Sequence, residues 1–356
     1  MDKFEKLNKF WKGKKVLITG NTGFKGAWLS IFLNLLNAKV YGYALKPEKQ
    51  SLFEILKMKK ILKKNIFADI ENFDILNNYI KKIKPEIIFH LAAQPLVSTS
   101  YNHPLETIKT NIIGTSNLLS SLKNKNYIKS VVIITTDKVY KIKSKKIFKE
   151  TDELGGIDPY SASKVCKEII VNSYVNSIFK DKKLYNKIST ARSGNVIGGG
   201  DFAQNRLIPD LIRHIFYNQP LKIRNPDNIR PWQHVIEPIY GYLLLAEKQY
   251  KSFLNRKNIS WNFGPRNKNF LKVNEILYLV KKRLKKKIKI NFIKSSFKET
   301  KTLKLNSNKS KVMLNWISKW DILTSLKKTV ELEEAIIKKR NVNKICENQI
   351  LDYLKE

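Results

Sequence analysis

The sequence predicts an α/β fold: a doubly wound parallel sheet with helices on both faces, and a smaller α/β lobe packed against it. Three observations carry this expectation. From residue 15 to residue 179, short β-rich runs alternate with amphipathic stretches about 10–18 residues long, the rhythm of a parallel sheet. A turn spaced Gly20-x-x-Gly23-x-x-Gly26 joins the first strand to the first helix. After Gly194 the rhythm changes, yet no long Pro-, Gly- or Ser-rich linker separates the two parts.

The elements follow in order. Residues 15–19 are a short β-rich strand, and 27–36 carry Trp28, Leu29, Phe32, Leu33 and Leu36 at helical spacing. Residues 40–44 and 65–68 are the second and third strands, the latter ending at Asp69. An amphipathic helix over 73–83 is stopped by Pro85, and 87–91 form the fourth strand. A long helix over 105–122 precedes the fifth strand, 130–135, and a helix over 160–179 precedes the sixth, 187–191. Beyond the loop Gly198-Gly199-Gly200-Asp201, helices are expected over 207–217, 238–247 and 273–284, with further helical pattern over 316–337. Strands are expected over 221–223, 260–263 and 288–293.

Composition excludes several classes. A chain of 356 residues fits one large or two intimate domains, and 42% hydrophobic with 28% charged residues marks a globular protein. The formal charge of +38 would suit nucleic acid or an anionic surface. The lysines are scattered through every segment, however, which favours a surface-wide composition bias, and no nucleic-acid partner is expected. Even the densest run, 281–289, reads as a solvated helix end. Cys166 and Cys346 make neither a disulfide framework nor a metal knuckle, so no metal is expected. Residues 1–15 lack the apolar region of a signal peptide, and no apolar run approaches the ~20 residues that span a bilayer, so the expected compartment is the reducing cytoplasm.

Two motifs carry chemistry. In Gly20-Asn21-Thr22-Gly23-Phe24-Lys25-Gly26 the glycines permit a tight turn and close backbone approach, and the helix N-terminus can hold a pyrophosphate. The spacing has one residue more between the first two glycines than the commoner G-x-G-x-x-G, but the strand–turn–helix context is met. No acidic residue ends the second strand to pair a ribose hydroxyl; Lys46 stands there, which leaves NAD and NADP both open. Asp69 reads equally as an adenine partner or a loop cap. The second motif is Thr135-Thr136-Asp137-Lys138 at the end of the fifth strand, followed by Tyr160-Ser161-Ala162-Ser163-Lys164. Tyr160 and Lys164 share a helix face, and an ammonium beside the phenol lowers its pKa, making Tyr160 a general base for a sugar hydroxyl.

With these two motifs the chain resembles the extended short-chain dehydrogenase/reductase family, a Rossmann-type fold. Longer segments are similar to the nucleotide-sugar 4,6-dehydratases within it: His90 to Val97, Thr110 to Thr115, Asp158 to Ser161, Ala191 to Asp201, Arg206 to Asp210, Ile223 to Pro226 and Arg230 to Val235. The likeness covers roughly residues 10–332. Asp137-Lys138 matches the CDP-glucose branch, where the dTDP-glucose branch carries Asp-Glu.

The resemblance implies NAD as cofactor, held by Gly20, Asn21, Thr22, Gly23, Phe24, Gly26, Asp69, Ile70, Leu91, Ala92, Ala93, Asn111, Tyr160 and Lys164. It implies that Tyr160 takes the 4-hydroxyl proton, Thr136 hydrogen-bonds the same oxygen and Asp137 protonates the departing C6 hydroxyl. Lys138 is implied at C5, with two roles open. An unperturbed lysine pKa near ~10.4 must be depressed for it to act as the base; otherwise it stabilises the enolate as a cation. Asn195, Arg206 and Arg230 are implied as diphosphate contacts, with Gln94, Ser100 and Tyr101 beside the sugar. His234 reads either as a packed histidine or as a contact to the nucleotide base. Two departures stand out: Ser98 replaces a usual arginine, and Lys298-Glu299-Thr300 replaces a frequent His-Glu-Ala.

The expected organisation is an NAD-binding domain over 10–194 with a return segment at 236–263, a nucleotide-sugar lobe of 195–235 plus 264–340, and a C-terminal tail, 341–356. Paired outer helices imply a homodimer. The competing functions are a dehydratase or 4-epimerase for another nucleotide sugar, and a non-catalytic nucleotide- or RNA-binding protein of the same fold.

Overall fold

Seven parallel strands make the central sheet: β1 Lys15–Thr19, β2 Lys39–Ala44, β3 Lys64–Phe67, β4 Ile87–His90, β5 Ser130–Ile134, β6 Ile188–Ser193 and β7 Ser260–Phe263. Their spatial order is β7-β6-β5-β4-β1-β2-β3, and every neighbouring pair is parallel. The computed structural model describes residues 2–142, 147–180, 183–252, 259–284, 289–293 and 300–356. Strands β4 and β5 are buried along their whole length, and β1 from Val16 onward, because helices cover both faces; their sequences are accordingly apolar runs and not alternating ones.

Alternate side chains feed two cores. On one face Val16, Ile18, Phe89 and Val132 pack with Trp28 and Phe32 of helix Phe24–Leu35 and Leu243 of helix Ile236–Lys251. On the other, Leu17, Ile88, Val131 and Ile133 meet Leu76 and Ile80 of helix Phe73–Ile83, Leu118 of helix Gly114–Ser121 and Val171 of helix Pro159–Asn176. A third core joins helices Leu207–Tyr217, Val273–Leu284 and Ile322–Ile337. Among the described residues three two-stranded sheets lie outside the main one: Val196–Ile197 with Gln233–His234, Ile229–Pro231 with Phe270–Lys272, and Leu221–Ile223 with Ile290–Phe292. Among the described residues no helix is long and apolar enough to cross a membrane.

Several expectations need correction. The segment read as a tail is helix Val342–Lys355, with Cys346, Ile350, Tyr353 and Leu354 buried in the first core. Its apolar residues repeat at helical spacing, a pattern diluted by intervening polar residues. The polar-looking N-terminus holds helix Lys3–Trp11, closed by a capping box between Asp2 and Glu5 and burying Leu7 and Trp11. The single helix expected over 105–122 is three pieces, Pro104–Ile108, a π-helical turn Lys109–Ile113 and Gly114–Ser121. The pattern over 316–337 is broken as well. Asn315, in the left-handed region at φ 53°, ends helix Asn308–Leu314, and Asp321 caps the next. Part of the lysine run, the start of the strand expected at 288, and Lys298 with Glu299 lie outside the described residues.

Candidate active site

Strand order reverses between β1 and its neighbours β2 and β4, so a crevice opens beyond their carboxyl ends. The glycine turn sits there. Gly20 has φ 74°, and a Cβ on it would lie 2.6 Å from the Ala92 nitrogen. A Cβ on Gly26 would lie 2.2 Å from the Gly20 carbonyl oxygen, so both positions require glycine. Gly23 is the N-cap of helix Phe24–Leu35 and offers no side-chain cap, leaving the first-turn amides to an incoming anion. A cradle that any Cβ would fill, above uncapped amides, fits the pyrophosphate of a dinucleotide.

The residues around the cradle are mostly braces. Buried Asn21 donates to Asn65 Oδ1 at 2.7 Å, in space available because residue 42 is glycine. Thr22 donates to the Leu45 carbonyl at 3.2 Å. Leu91 N–H donates to the Thr19 carbonyl at 3.0 Å, and Ala92 N–H to the Thr19 hydroxyl at 3.3 Å. The Asp69 carboxylate accepts from Glu71 N–H at 2.9 Å, which is the loop-cap reading. Its carbonyl accepts from Tyr43, and Ile70 is buried against Gly114. Lys46 is exposed at the end of β2. Asn111, in the π-helical turn, holds the Gln94 backbone through both side-chain atoms and donates to Ser163 at 2.9 Å. The turn thus ties the β4 loop to the helix that carries Tyr160.

That helix, Pro159–Asn176, starts firmly. Asp158 accepts from Ser161 N–H at 2.9 Å and from its hydroxyl at 2.6 Å, and proline fills the first position. Tyr160 and Lys164 share a face, with the amine 5.6 Å from the ring centroid. The structure brings all five expected catalytic residues together. The Tyr160 phenol lies beside Thr136, whose hydroxyl donates to Asp137 Oδ1 at 3.0 Å. Lys138 Nζ stands 3.7 Å from the same carboxylate, and among the described residues buried Asp137 Oδ2 has no hydrogen-bond partner.

The electrostatics differ from the expected ammonium–phenol pairing. Burial pushes Tyr160 up to about 12, against the pull of Thr136 and Arg206. Burial, with repulsion from Lys25, pulls Lys164 down to about 7. Both shifts favour the neutral forms.

Behind the site, Glu168 accepts from the hydroxyls of Thr135 and Thr190, each at 2.6 Å, and pairs with Arg192 at 2.9 Å. Arg192 also donates to the Tyr140 hydroxyl at 2.9 Å. Arg192 looked like one more residue of a matched segment, and its partner Glu168 is distant in sequence, so nothing local marked the pair.

The expected substrate residues fare unevenly. Arg206 pairs with Asp201 at 3.0 Å and lies within electrostatic reach of Tyr160. Arg230 is buried, donating to the carbonyls of Ile229 and Lys301 at 3.0 and 3.3 Å. Asn195 is half-buried where its carbonyl accepts from Gln233 N–H. Gln94 is committed to Leu96 and Thr107. Ser100 is buried, accepting from Tyr160 N–H at 3.1 Å, and thus positions the helix start. Tyr101 is half-exposed. His234 is a packed histidine: it is fully buried between Trp28 and Trp320, and burial drives it down to about 3. Sequence reasoning passed over Lys25, whose amine donates to Ser193 at 3.1 Å within reach of Asp137, Asp201 and Arg206. It lies inside the glycine motif, where attention falls on the backbone.

A dinucleotide cradle at the switch point, with a Tyr-x-x-x-Lys helix and a strand-end threonine beside it, defines a protein of the short-chain dehydrogenase/reductase class. The family model for GDP-mannose 4,6 dehydratase matches residues 17–329, and the chain belongs to that family. A CDP-glucose 4,6-dehydratase of Salmonella typhimurium is 40% identical over 97% of this chain and 97% of its own length. A UDP-glucose 4-epimerase of Mycoplasma genitalium is 28% identical over 65% of this chain and 71% of its own. In fold, the chain is similar to a dTDP-glucose 4,6-dehydratase from Bacillus anthracis, solved in complex with NAD. The TM-score is 0.77 at 21% identity, covering 93% of this chain and 100% of that one.

Proposed function

We propose that the chain is an NAD-dependent nucleotide-sugar 4,6-dehydratase acting on CDP-glucose, giving CDP-4-keto-6-deoxyglucose and water. The observation that carries the chemistry is Thr136 standing beside the Tyr160 phenol while donating to the Asp137 carboxylate, one oxygen of which has no hydrogen-bond partner among the described residues. An epimerase performs no elimination and has no use for a carboxyl group held there. The choice of CDP-glucose rests on the Salmonella relative and on Asp137-Lys138.

Bound NAD would supply the acceptor for the C4 hydride and its return to C6; the glycine cradle, Asn111 and Lys164 would hold it. Tyr160, which burial alone keeps neutral, would be tipped toward phenolate by the positive nicotinamide ring of bound NAD and then take the proton of the 4-hydroxyl, and Thr136 orients that oxygen. The 4-ketone acidifies the C5 proton. Asp137 faces the departing C6 hydroxyl as its proton donor. Lys138 faces C5, as base or as the cation that steadies the enolate. Arg206, Arg230 and Asn195 meet the diphosphate.

The test is to incubate purified protein with CDP-, dTDP-, UDP- and GDP-hexoses and read loss of one water by mass. Preference for another nucleotide would sink the specificity, and a C4 epimer without water loss would sink the elimination. Lys138→Glu with C5 deuterium exchange separates the two lysine roles: retained exchange shows that a base is what the position needs.

The assembly proposed is a homodimer. Leu105, Ile108, Ile113 and Ile169 are exposed on neighbouring helices, an apolar face suited to a second copy. Sedimentation showing monomer at micromolar concentration would refute it. The proposed setting is the cytoplasm, with the product feeding deoxysugar synthesis for a surface polysaccharide of the O-antigen type.

A further inference from the structure

Lys25 has no part in holding the glycine turn, which needs only backbone there. Its side chain nevertheless leaves the helix N-terminus and crosses to β6. The amine donates to Ser193 Oγ at 3.1 Å. Ser193 also accepts from the Tyr242 hydroxyl at 3.0 Å, and the Tyr242 ring lies 5.9 Å from the amine. The support is therefore a neutral Ser–Tyr pair. Among the described residues no carboxylate lies within ion-pair distance of this lysine.

The four charged groups near it come from three elements: Asp137 after β5, Lys164 on helix Pro159–Asn176, and Asp201 and Arg206 on the loop beyond β6. Asp201 is already paired with Arg206 at 3.0 Å, and Asp137 has Lys138 beside it at 3.7 Å. Burial and Arg206 pull Lys25 down to about 8, with Asp137 and Asp201 opposing. A cation in this position gains most from an anion that enters the cleft. A second sign of an absent polar ligand is Asp137 Oδ2, buried and without a hydrogen-bond partner among the described residues; as an acceptor it suits a sugar hydroxyl, which would place the sugar end of the same ligand there.

We propose that Lys25 is a substrate-binding residue whose amine contacts the diphosphate of the nucleotide sugar alongside Arg206. The glycine turn would then serve both ligands, its backbone facing the dinucleotide and its one lysine facing the sugar nucleotide. Two of the four charged neighbours, Asp137 and Arg206, are residues expected on the sugar-nucleotide side, and Asp201 is paired with Arg206, which favours that diphosphate over the dinucleotide's own. The inference rests on the nucleotide-sugar reading above.

The experiment compares wild type, Lys25→Met and Lys25→Arg in the full chain. CDP and NAD are titrated separately by calorimetry, and KM and kcat for CDP-glucose are measured at saturating NAD. Losing a charge-assisted phosphate contact should weaken CDP and raise KM about ten-fold or more in Lys25→Met, with NAD affinity held within about two-fold and Lys25→Arg close to wild type. In wild type CDP affinity should fall as pH rises through about 8, and Lys25→Arg should flatten that limb. Unchanged CDP affinity and KM, or a loss confined to NAD, would overturn the proposal. If Lys25→Met fails to fold, Lys25→Gln is read by the same criteria. Wild-type protein that dehydrates no nucleotide hexose refutes the proposed function; a working wild type with an indifferent Lys25→Met refutes only the role of Lys25.

Discussion

Glu168→Ala should cost the protein far more stability than its distance from solvent chemistry would suggest. Glu168 receives Thr135 and Thr190 at 2.6 Å, Ser260 at 3.1 Å and two nitrogens of Arg192 at 2.9 and 3.0 Å. Arg192 is 2% exposed, and among the described residues Glu168 is its ion-pair partner. Removing one member of a buried pair leaves the other charged and desolvated, at about 3–5 kcal/mol. At about 2 °C per kcal/mol, suited to a large chain, melting should fall by roughly 6–10 °C. Burial alone would raise the Glu168 pKa, but Arg192 and the hydroxyl donors lower it overall. The folded value lies below the unfolded one, so the stabilisation is present above the unfolded value near ~4.3 and is lost as pH falls through the folded value. The deficit of the variant should therefore close in acid. Urea melts at pH 7 and near pH ~2 measure it. A loss below about 1 kcal/mol at pH 7 would refute the argument, because that is the scale of an exposed pair. Glu168→Leu with Arg192→Met should recover part of the loss, since no buried charge remains.

Tyr160→Phe should reduce dehydration by about 10²–10⁴-fold while NAD still quenches protein fluorescence, as expected for a lost proton acceptor. Gly26→Ala should weaken NAD binding in the same titration by about ten-fold or more, because the added carbon would sit 2.2 Å from the Gly20 carbonyl and must push the turn open. Lys164→Met should abolish turnover yet raise the melting temperature at neutral pH. Between about 7 and the ordinary lysine value the unfolded chain binds a proton that folded Lys164 does not, so wild-type stability rises with pH across that window. The advantage of the methionine should shrink over the same interval.

The sheet was legible because buried parallel strands are apolar runs that few other elements imitate, as in Val131-Val132-Ile133-Ile134. The clustering of the candidate catalytic residues was legible because Tyr160 and Lys164 are tied by helical spacing and Thr136, Asp137 and Lys138 by a strand end. What escaped depends on long-range contact. The environment of His234 comes from Trp28 and Trp320, far away on either side in the chain. The π-helical turn at Lys109–Ile113 leaves no compositional mark, although it aims Asn111 at both Gln94 and Ser163. Ser100 matched a sugar-side position by motif, yet its hydroxyl is spent on Tyr160 N–H. The tyrosine–lysine pairing read from spacing omitted desolvation, which moves both groups the other way.

Helix Val342–Lys355 has a consequence for how the chain is made. It covers the same core as the helix that follows the glycine turn, and Asn343 donates to the Leu56 carbonyl, 287 positions earlier. A ribosome releases Trp28, Leu29 and Phe32 long before the surface that will cover them exists. The cofactor half therefore cannot finish folding as an independent early unit during synthesis. Part of the apolar face of helix Phe24–Leu35 gains its cover only when the distant helix arrives.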